Sequence, residues 1–257
     1  MNKNQQPGLC LFVVGLIGLG IIALIVGDFA LVWQPVPDWV PARHAVAYGT
    51  GVLMLLVGIG LSFQASRAWA VRILAAYLLL WASLKLPAVY AAPKMEAVYL
   101  GLGELVALFC GGLTLLARFG EIAEGSALGF LSGDRGARLA RILFAIAILP
   151  VGLSHIVYAD ITAGYVPHWL PYRVGWAYLT GAGQIASGLG LLFGVLPRIA
   201  AWAEAGQISL YTLLVWGPAV MAAPKTRLPW TAFFISWIIA AAAWVVAQNV
   251  PEKSSKA

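Results

Sequence analysis

Long apolar runs separated by short polar stretches dominate this chain. The runs are continuous and rich in leucine and alanine, and they lack the period of two that marks a strand of a membrane barrel. Eight have the length of a membrane-crossing helix: 9–27, 44–63, 69–90, 96–117, 139–159, 173–193, 198–221 and 229–248. At 1.5 Å per residue, about 20 residues cross a hydrocarbon core of about 30 Å. The pattern therefore predicts an all-α integral membrane protein with eight transmembrane helices. The first run follows Lys3, but it is too long for the apolar region of a signal peptide. No small-residue cleavage site follows it at Gly27-Asp28-Phe29, so a retained helix is expected.

The polar breaks between runs repeat. VPDWVPARHAVAYGTGVLMLLVGIGL at 36–61 returns as VPHWLPYRVGWAYLTGAGQIASGLGL at 166–191, with 12 of 26 positions identical. PAVYAAPK at 87–94 returns as PAVMAAPK at 218–225, with 7 of 8 identical at nearly the same offset. An internal duplication decides architecture ahead of local propensity. Eight spans become two copies of four, predicted as two parallel-repeat four-helix bundles over 1–117 and 139–257. An even number of spans per copy inserts both in the same sense, about an axis along the membrane normal. The charged segment 118–138 between them reads as a cytoplasmic connector with a short interfacial helix around Ile122–Leu131.

Composition agrees with a bilayer environment. The chain is 61% hydrophobic and 10% charged, against about 25% charged residues in an ordinary soluble domain. Lys3, Arg67, Arg72, Arg118, Arg135, Arg138, Arg141, Arg198, Lys253 and Lys256 fall on the side of the termini. Arg43, Lys94, Arg173, Lys225 and Arg227 fall on the other. This bias predicts both termini in the cytoplasm. It also accounts for the net charge of +6 through anionic lipid, so nucleic acid is not an implied partner. Cys10 and Cys110 stand singly, and three scattered histidines give no ligand spacing, so neither a metal nor a haem is expected. Gly101-x-Gly103 lies inside a span and lacks the setting of a nucleotide loop. The chain thus shows no catalytic motif of its own. A quinone needs only an apolar cleft with a few polar groups, which keeps it open as a ligand.

Residues kept in both copies read as the mould of the unit. Pro37/Pro41 and Pro167/Pro171 fix the outer loop, as a lid or as an interfacial anchor. Trp39 and Trp169 suit the headgroup boundary, and Arg43 and Arg173 open the following helices. Tyr48/Tyr178, Thr50/Thr180 and the glycines Gly58/Gly60 and Gly188/Gly190 suit close helix packing. Pro87 and Pro218 are expected to kink or end the third span of each copy.

Residues found in one copy carry the functional expectation, because ionisable groups inside a membrane are costly. Lys85 faces Trp216 in the alignment, and Glu104 faces Ile235. Counted from the outer ends, they lie about 7 Å and about 12 Å deep, within reach of each other. A candidate polar pocket of Lys85, Glu104, Trp39, Arg43 and Tyr48 is expected beneath the Pro37–Pro41 loop, as an ion or substrate site or as a polar clasp. Glu204 and Arg72 occupy almost matching places in the seventh and third spans and are expected to meet across the two copies. His155, five residues before Asp160, is the imidazole best placed for proton handling, or a hydrogen-bonded packing residue.

Two four-span copies, each with Pro-x-Trp-(Val/Leu)-Pro, then Ala-Tyr-x-Thr-Gly, then Gly-x-Gly-Leu, resemble the DoxX-like membrane proteins, here as a tandem fusion. The resemblance implies a four-helix unit in the bacterial cytoplasmic membrane. It also implies association with quinone-linked sulfur oxidation or redox-stress complexes. Relatives commonly place histidine two residues before the third-helix proline, where this chain has Lys85 and Trp216. The implied role is a redox accessory or quinone-interacting subunit, partnered by a redox protein or another membrane subunit. Two other roles fit the residues: a non-catalytic assembly scaffold, and a small-solute or proton-coupled transporter using Gln184, Gln207 and Glu204.

Overall fold

The computed structural model describes residues 7–123 and 125–251. Lys3, Lys253 and Lys256, which count toward the expected orientation, lie outside these residues. In chain order the helices are α1 (Pro7–Val26), α2 (Arg43–Ser62), α3 (Arg67–Ser83), α4 (Leu86–Ala91), α5 (Glu96–Phe119) and α6 (Gly133–Val157). There follow α7 (Ala159–Tyr165), α8 (Arg173–Phe193), α9 (Pro197–Tyr211), α10 (Gly217–Ala222) and α11 (Arg227–Gln248). No strand occurs among the described residues. Seven helical stretches among them are long and apolar enough to cross a membrane: α1, α2, α3 with α4, α5, α6, α9 with α10, and α11. The eighth expected span is the helix α8, 21 residues long, which carries Thr180, Gln184 and Ser187 and stands outside this set. The protein is a multi-pass, all-helical membrane protein. Its outer faces expose Leu56, Leu79, Leu80, Ile146, Leu179 and Leu213, which suits lipid rather than water.

The two prolines interrupt their helices in different ways. A proline inside a helix lacks a donor and crowds the carbonyl four residues earlier. Before Pro87 the chain closes α3, turns through Leu84 and Lys85, and restarts as α4 with the proline in its first turn. Before Pro218 it stays helical but widens into a π turn at Thr212–Trp216. π turns of this kind are frequent at functional sites.

The connector is shorter than the apolar runs suggest. α5 continues to Phe119 and α6 begins at Gly133, six residues before the expected span, and a single 3₁₀ turn at Gly129–Leu131 stands where an interfacial helix was expected. Hydropathy misses the added turns because they carry charge. Asp134 sits in the first turn of α6, where the helix dipole favours a carboxylate, and Arg118 pairs with it at 2.7 Å. Arg72 ends α5 by donating to the carbonyls of Gly120 at 2.7 Å and Glu121 at 3.0 Å.

Packing uses the same device twice. A Cβ on Gly20 of α1 would lie 2.9 Å from the Gly51 carbonyl of α2. A Cβ on Gly181 of α8 would lie 2.6 Å from the Gly152 carbonyl of α6. Only glycine admits backbones this close. The succession of buried, half-buried and exposed positions along 41–59 also recurs unchanged along 171–189.

The last helix of each half is shared. α5 packs extensively on α6, and α11 packs on both α1 and α5. The core built by α1, α2, α3 and α5 includes Ile235, Ile238, Ala241, Ala242 and Val245 from α11. The core built by α6, α8, α9 and α11 includes Ala107 and Cys110 from α5. The Trp237 indole donates to the Leu11 carbonyl at 2.9 Å, fixing α11 against α1. At one end of the bundle, Arg118 of α5 donates to Asn249 beyond α11 at 2.6 Å.

Candidate functional site

The chain leaves α1 through Gly27, whose φ of +66° favours glycine. A Cβ there would also meet the Tyr48 hydroxyl at 2.6 Å, and His44 Nδ1 lies 2.7 Å from the Gly27 carbonyl. This turn presents Asp28. Its Oδ1 accepts from the Phe29 N–H at 2.8 Å and from Arg43 Nη1, and its Oδ2 accepts from Arg227 Nη1 at 3.0 Å. Arg227 also donates to the Phe29 carbonyl, and the Arg43 guanidinium lies 5.3 Å from the centre of the Phe29 ring. One aspartate thus ties the end of α1 to the starts of α2 and α11.

Burial by itself would raise the Asp28 carboxyl, but the Phe29 N–H and the Arg227 and Arg43 guanidiniums outweigh it and hold it below the ordinary range. A depressed carboxylate stabilises the fold fully above its ordinary value of 3.8, and that stabilisation is lost as pH falls through the lower folded value. The clasp is therefore indifferent to pH near neutrality. Its side chains are about one-fifth to one-quarter exposed, so Arg227→Ala is expected to cost about 1–2 kcal/mol, between surface and buried pairs. Melting the variant and the parent in detergent checks this; the difference between them should shrink only in strong acid.

The polar group of the first half lies deeper. The Trp33 indole donates to Glu104 Oε2 at 2.7 Å, and Lys85 lies within Coulombic reach of the same carboxyl. The Lys85 ammonium rests over Gly101, where a Cβ would be 3.3 Å from Nζ. Beside it, the Gln34 side chain accepts from the Ala30 N–H at 2.7 Å and donates to the Tyr77 hydroxyl at 2.7 Å. The five residues expected to form one pocket occupy three places. Lys85 and Glu104 stay together, Arg43 belongs to the Asp28 clasp with Tyr48 over Gly27, and Trp39 is 80% exposed. Trp33 and Gln34 were missed in the sequence, where they stand in a short loop without a repeated motif.

The second half holds a separate polar ladder. Gln184 Nε2 donates to Glu204 Oε1 at 3.3 Å. One turn away, Gln207 Nε2 donates to the Thr180 carbonyl at 2.8 Å and to the Tyr211 hydroxyl at 2.7 Å. The Thr180 hydroxyl donates to the Trp176 carbonyl at 2.8 Å, so it accepts from His155 Nδ1 at 3.0 Å. His155 and Tyr211 also pack ring against ring at 5.5 Å. Glu204 and Arg72 do not meet: Glu204 is fully buried against Gln184, while exposed Arg72 is spent on the end of α5. Asp160 is exposed and lines an open groove of about 570 Å³ with Tyr172 and Arg173.

Among the described residues no cluster of three or more His, Cys, Asp or Glu side chains has the arrangement of a metal site. The DoxX family model matches residues 136–217, from the first turn of α6 to the start of α10. No curated protein and no solved structure matches the chain. The ladder residues His155, Thr180, Gln184, Glu204, Gln207 and Tyr211 all fall inside the matched segment. The match makes the segment 136–217, in the second half of this multi-pass membrane protein, similar to the DoxX family.

Proposed function

We propose that the protein is an accessory membrane subunit of a redox assembly, holding a quinone headgroup at the α3–α4 break beside a redox protein or another membrane subunit. One observation supports this reading above the others: Lys85 and Glu104, which have no counterpart in the second half, lie together where a membrane helix is interrupted. Leu84 and Leu86 on either side of Lys85 are 43% and 54% exposed, giving a lipid-soluble ligand an apolar approach. An ammonium donates to a quinone carbonyl, a carboxyl exchanges a proton with it, and the Trp33 ring offers a flat apolar wall.

The same reading takes α8 as the eighth span and the chain as two parallel copies, 1–117 and 139–257, about the connector 118–138. The recurring exposure pattern and the paired glycine contacts support it. The gathering of Arg67, Arg72, Arg118, Arg135, Arg138, Arg141 and Arg198 toward one end supports a bacterial cytoplasmic membrane with both termini inside.

Titration of the purified protein with a short-chain quinone should quench tryptophan fluorescence and raise the melting temperature. Lys85→Ala and Glu104→Gln should each weaken binding about tenfold, or ~1.4 kcal/mol, with little change in the unliganded melting temperature. Glu104→Gln keeps an acceptor for Trp33, so a folding defect is not expected from it. Failure of both quinone and quinol to bind would overturn the proposal.

A further inference from the structure

The ladder of the second half contains two orphaned atoms. Glu204 is 0% exposed and Gln184 is 2% exposed, yet Glu204 Oε2 and Gln184 Oε1 are buried without a hydrogen-bond partner. Both are acceptors if Glu204 is ionised. They flank the one bond the pair does make, from Gln184 Nε2 to Glu204 Oε1. A buried carboxylate with a single amide donor leaves a charge almost unsolvated, at a cost of several kcal/mol. A single proton resolves both orphans. Placed on Glu204 Oε2, it donates to Gln184 Oε1, and acid and amide then face each other through two complementary hydrogen bonds.

We infer that Glu204 and Gln184 form a proton-binding site in the membrane interior, and that Gln207, Tyr211, Thr180 and His155 form the polar route leading to it. Glu204 lies seven residues into α9, about 10 Å from its start. Gln207 and Tyr211 continue along the same helix, Thr180 lies one turn from Gln184 on α8, and His155 joins from α6. Gly183 leaves room for the Gln207 amide, since a Cβ there would lie 2.6 Å from Gln207 Oε1. His155 lies toward the end of α6 that leads through α7 to the groove at Asp160 and Arg173.

The surrounding elements bring few competing charges. Besides Glu204, α9 carries Arg198 and Tyr211, while α8 carries Arg173 and Tyr178. The ionisable residues of α6 are Asp134, Arg135, Arg138, Arg141 and His155; α5 brings Cys110 to this core, and α11 has only Arg227. Gln184 makes the hydrogen bond to Glu204, and the Ser187 hydroxyl lies beside the carboxyl. Calcium or magnesium would need six or more oxygens, several of them charged, which this site does not bring.

Packing alone does not require these groups. At the repeat offsets, the first half places Met54, Val57, Ile73, Ala76 and Leu80 where the second has Gln184, Ser187, Glu204, Gln207 and Tyr211, and Ala23 lies against Gly51 as His155 lies against Gly181. The same helices pack there without any buried carboxyl. The ladder is thus an addition to the scaffold, and it is independent of the Lys85–Glu104 reading.

Infrared difference spectroscopy of the full-length protein in lipid tests the site. Subtracting Glu204→Gln from the parent at neutral pH should leave a protonated carboxyl stretch. That band should shift to higher frequency in Gln184→Leu, which removes its acceptor, and should persist unshifted in Glu104→Gln. If Glu204→Gln does not assemble, labelling of the parent with a hydrophobic carbodiimide replaces the subtraction, because only the neutral acid reacts. Mass spectrometry should then locate the adduct on Glu204, falling about tenfold per pH unit above the midpoint. Absence of the band and of the adduct would overturn the inference, as would a band indifferent to Gln184→Leu. Neither result bears on quinone binding.

Discussion

Phe12→Ala is expected to lower the stability of the folded bundle by about 3 kcal/mol. Phe12 is fully buried in α1 at the meeting of α1, α5 and α11, where its ring covers Gly111. Phenylalanine-to-alanine changes in water-soluble cores cost about 3–5 kcal/mol, through lost transfer energy and the cavity left behind. In a bilayer the separated helices remain in lipid, so the transfer part shrinks and the cavity part stays. The lower end of the range follows. Equilibrium unfolding in mixed micelles measures it, with Phe130→Ala as the comparison because Phe130 is 47% exposed. That second change should stay within about 0.5 kcal/mol. Equal losses for the two variants would mean that the α1–α11 contact does not hold the protein together.

Gly111→Leu should be more damaging. A Cβ at this position would lie 2.5 Å from the Ala242 Cβ and 2.7 Å from the Ala242 Cα of α11, where carbon contacts settle at about 3.5–4.0 Å. Alanine has no rotamer with which to withdraw, so α5 and α11 must separate. Overpacking by a methylene or two costs about 1–3 kcal/mol, and leucine adds more than that. Since α5 and α11 enter both cores, the expected outcome is loss of the assembled protein on size-exclusion chromatography. Gly206→Leu is the control, because nothing lies within 4 Å of a Cβ there. Indistinguishable behaviour of the two variants would contradict the close α5–α11 crossing.

The helices were legible in the sequence because hydropathy and chain length alone define an apolar run. The breaks at Pro87 and Pro218 were legible because proline acts on its own backbone. The ends of α5 and α6 were not, since their last turns depend on Arg72 and on the Arg118–Asp134 pair, and hydropathy counts such residues only as loop. The exchange of α5 and α11 left no readable trace: a run of leucine and alanine does not name its neighbour. Gly103 and Gly111 admit α6 and α11 against α5, but a glycine does not name its neighbour either. Asp28 and Arg227 were passed over for a related reason. Each is an ordinary loop charge until the fold brings α11 beside the end of α1. Glu204 and Gln184, by contrast, were visible as polar residues in an apolar run, although their contact across α8 and α9 was not.

The placement of α11 against α1 has a consequence for how the protein is made. Leu11 and Trp237 are joined by a hydrogen bond yet separated by 226 residues. At about 5–20 residues per second, roughly 10 to 45 s pass between their syntheses. During that interval α1 to α5 reach the bilayer with the seat of α11 empty and Phe12 and Gly111 facing lipid. Both cores therefore wait for the last helix to be made, and a chain halted after α10 would offer the empty seat of α11 to the machinery that inspects new membrane proteins.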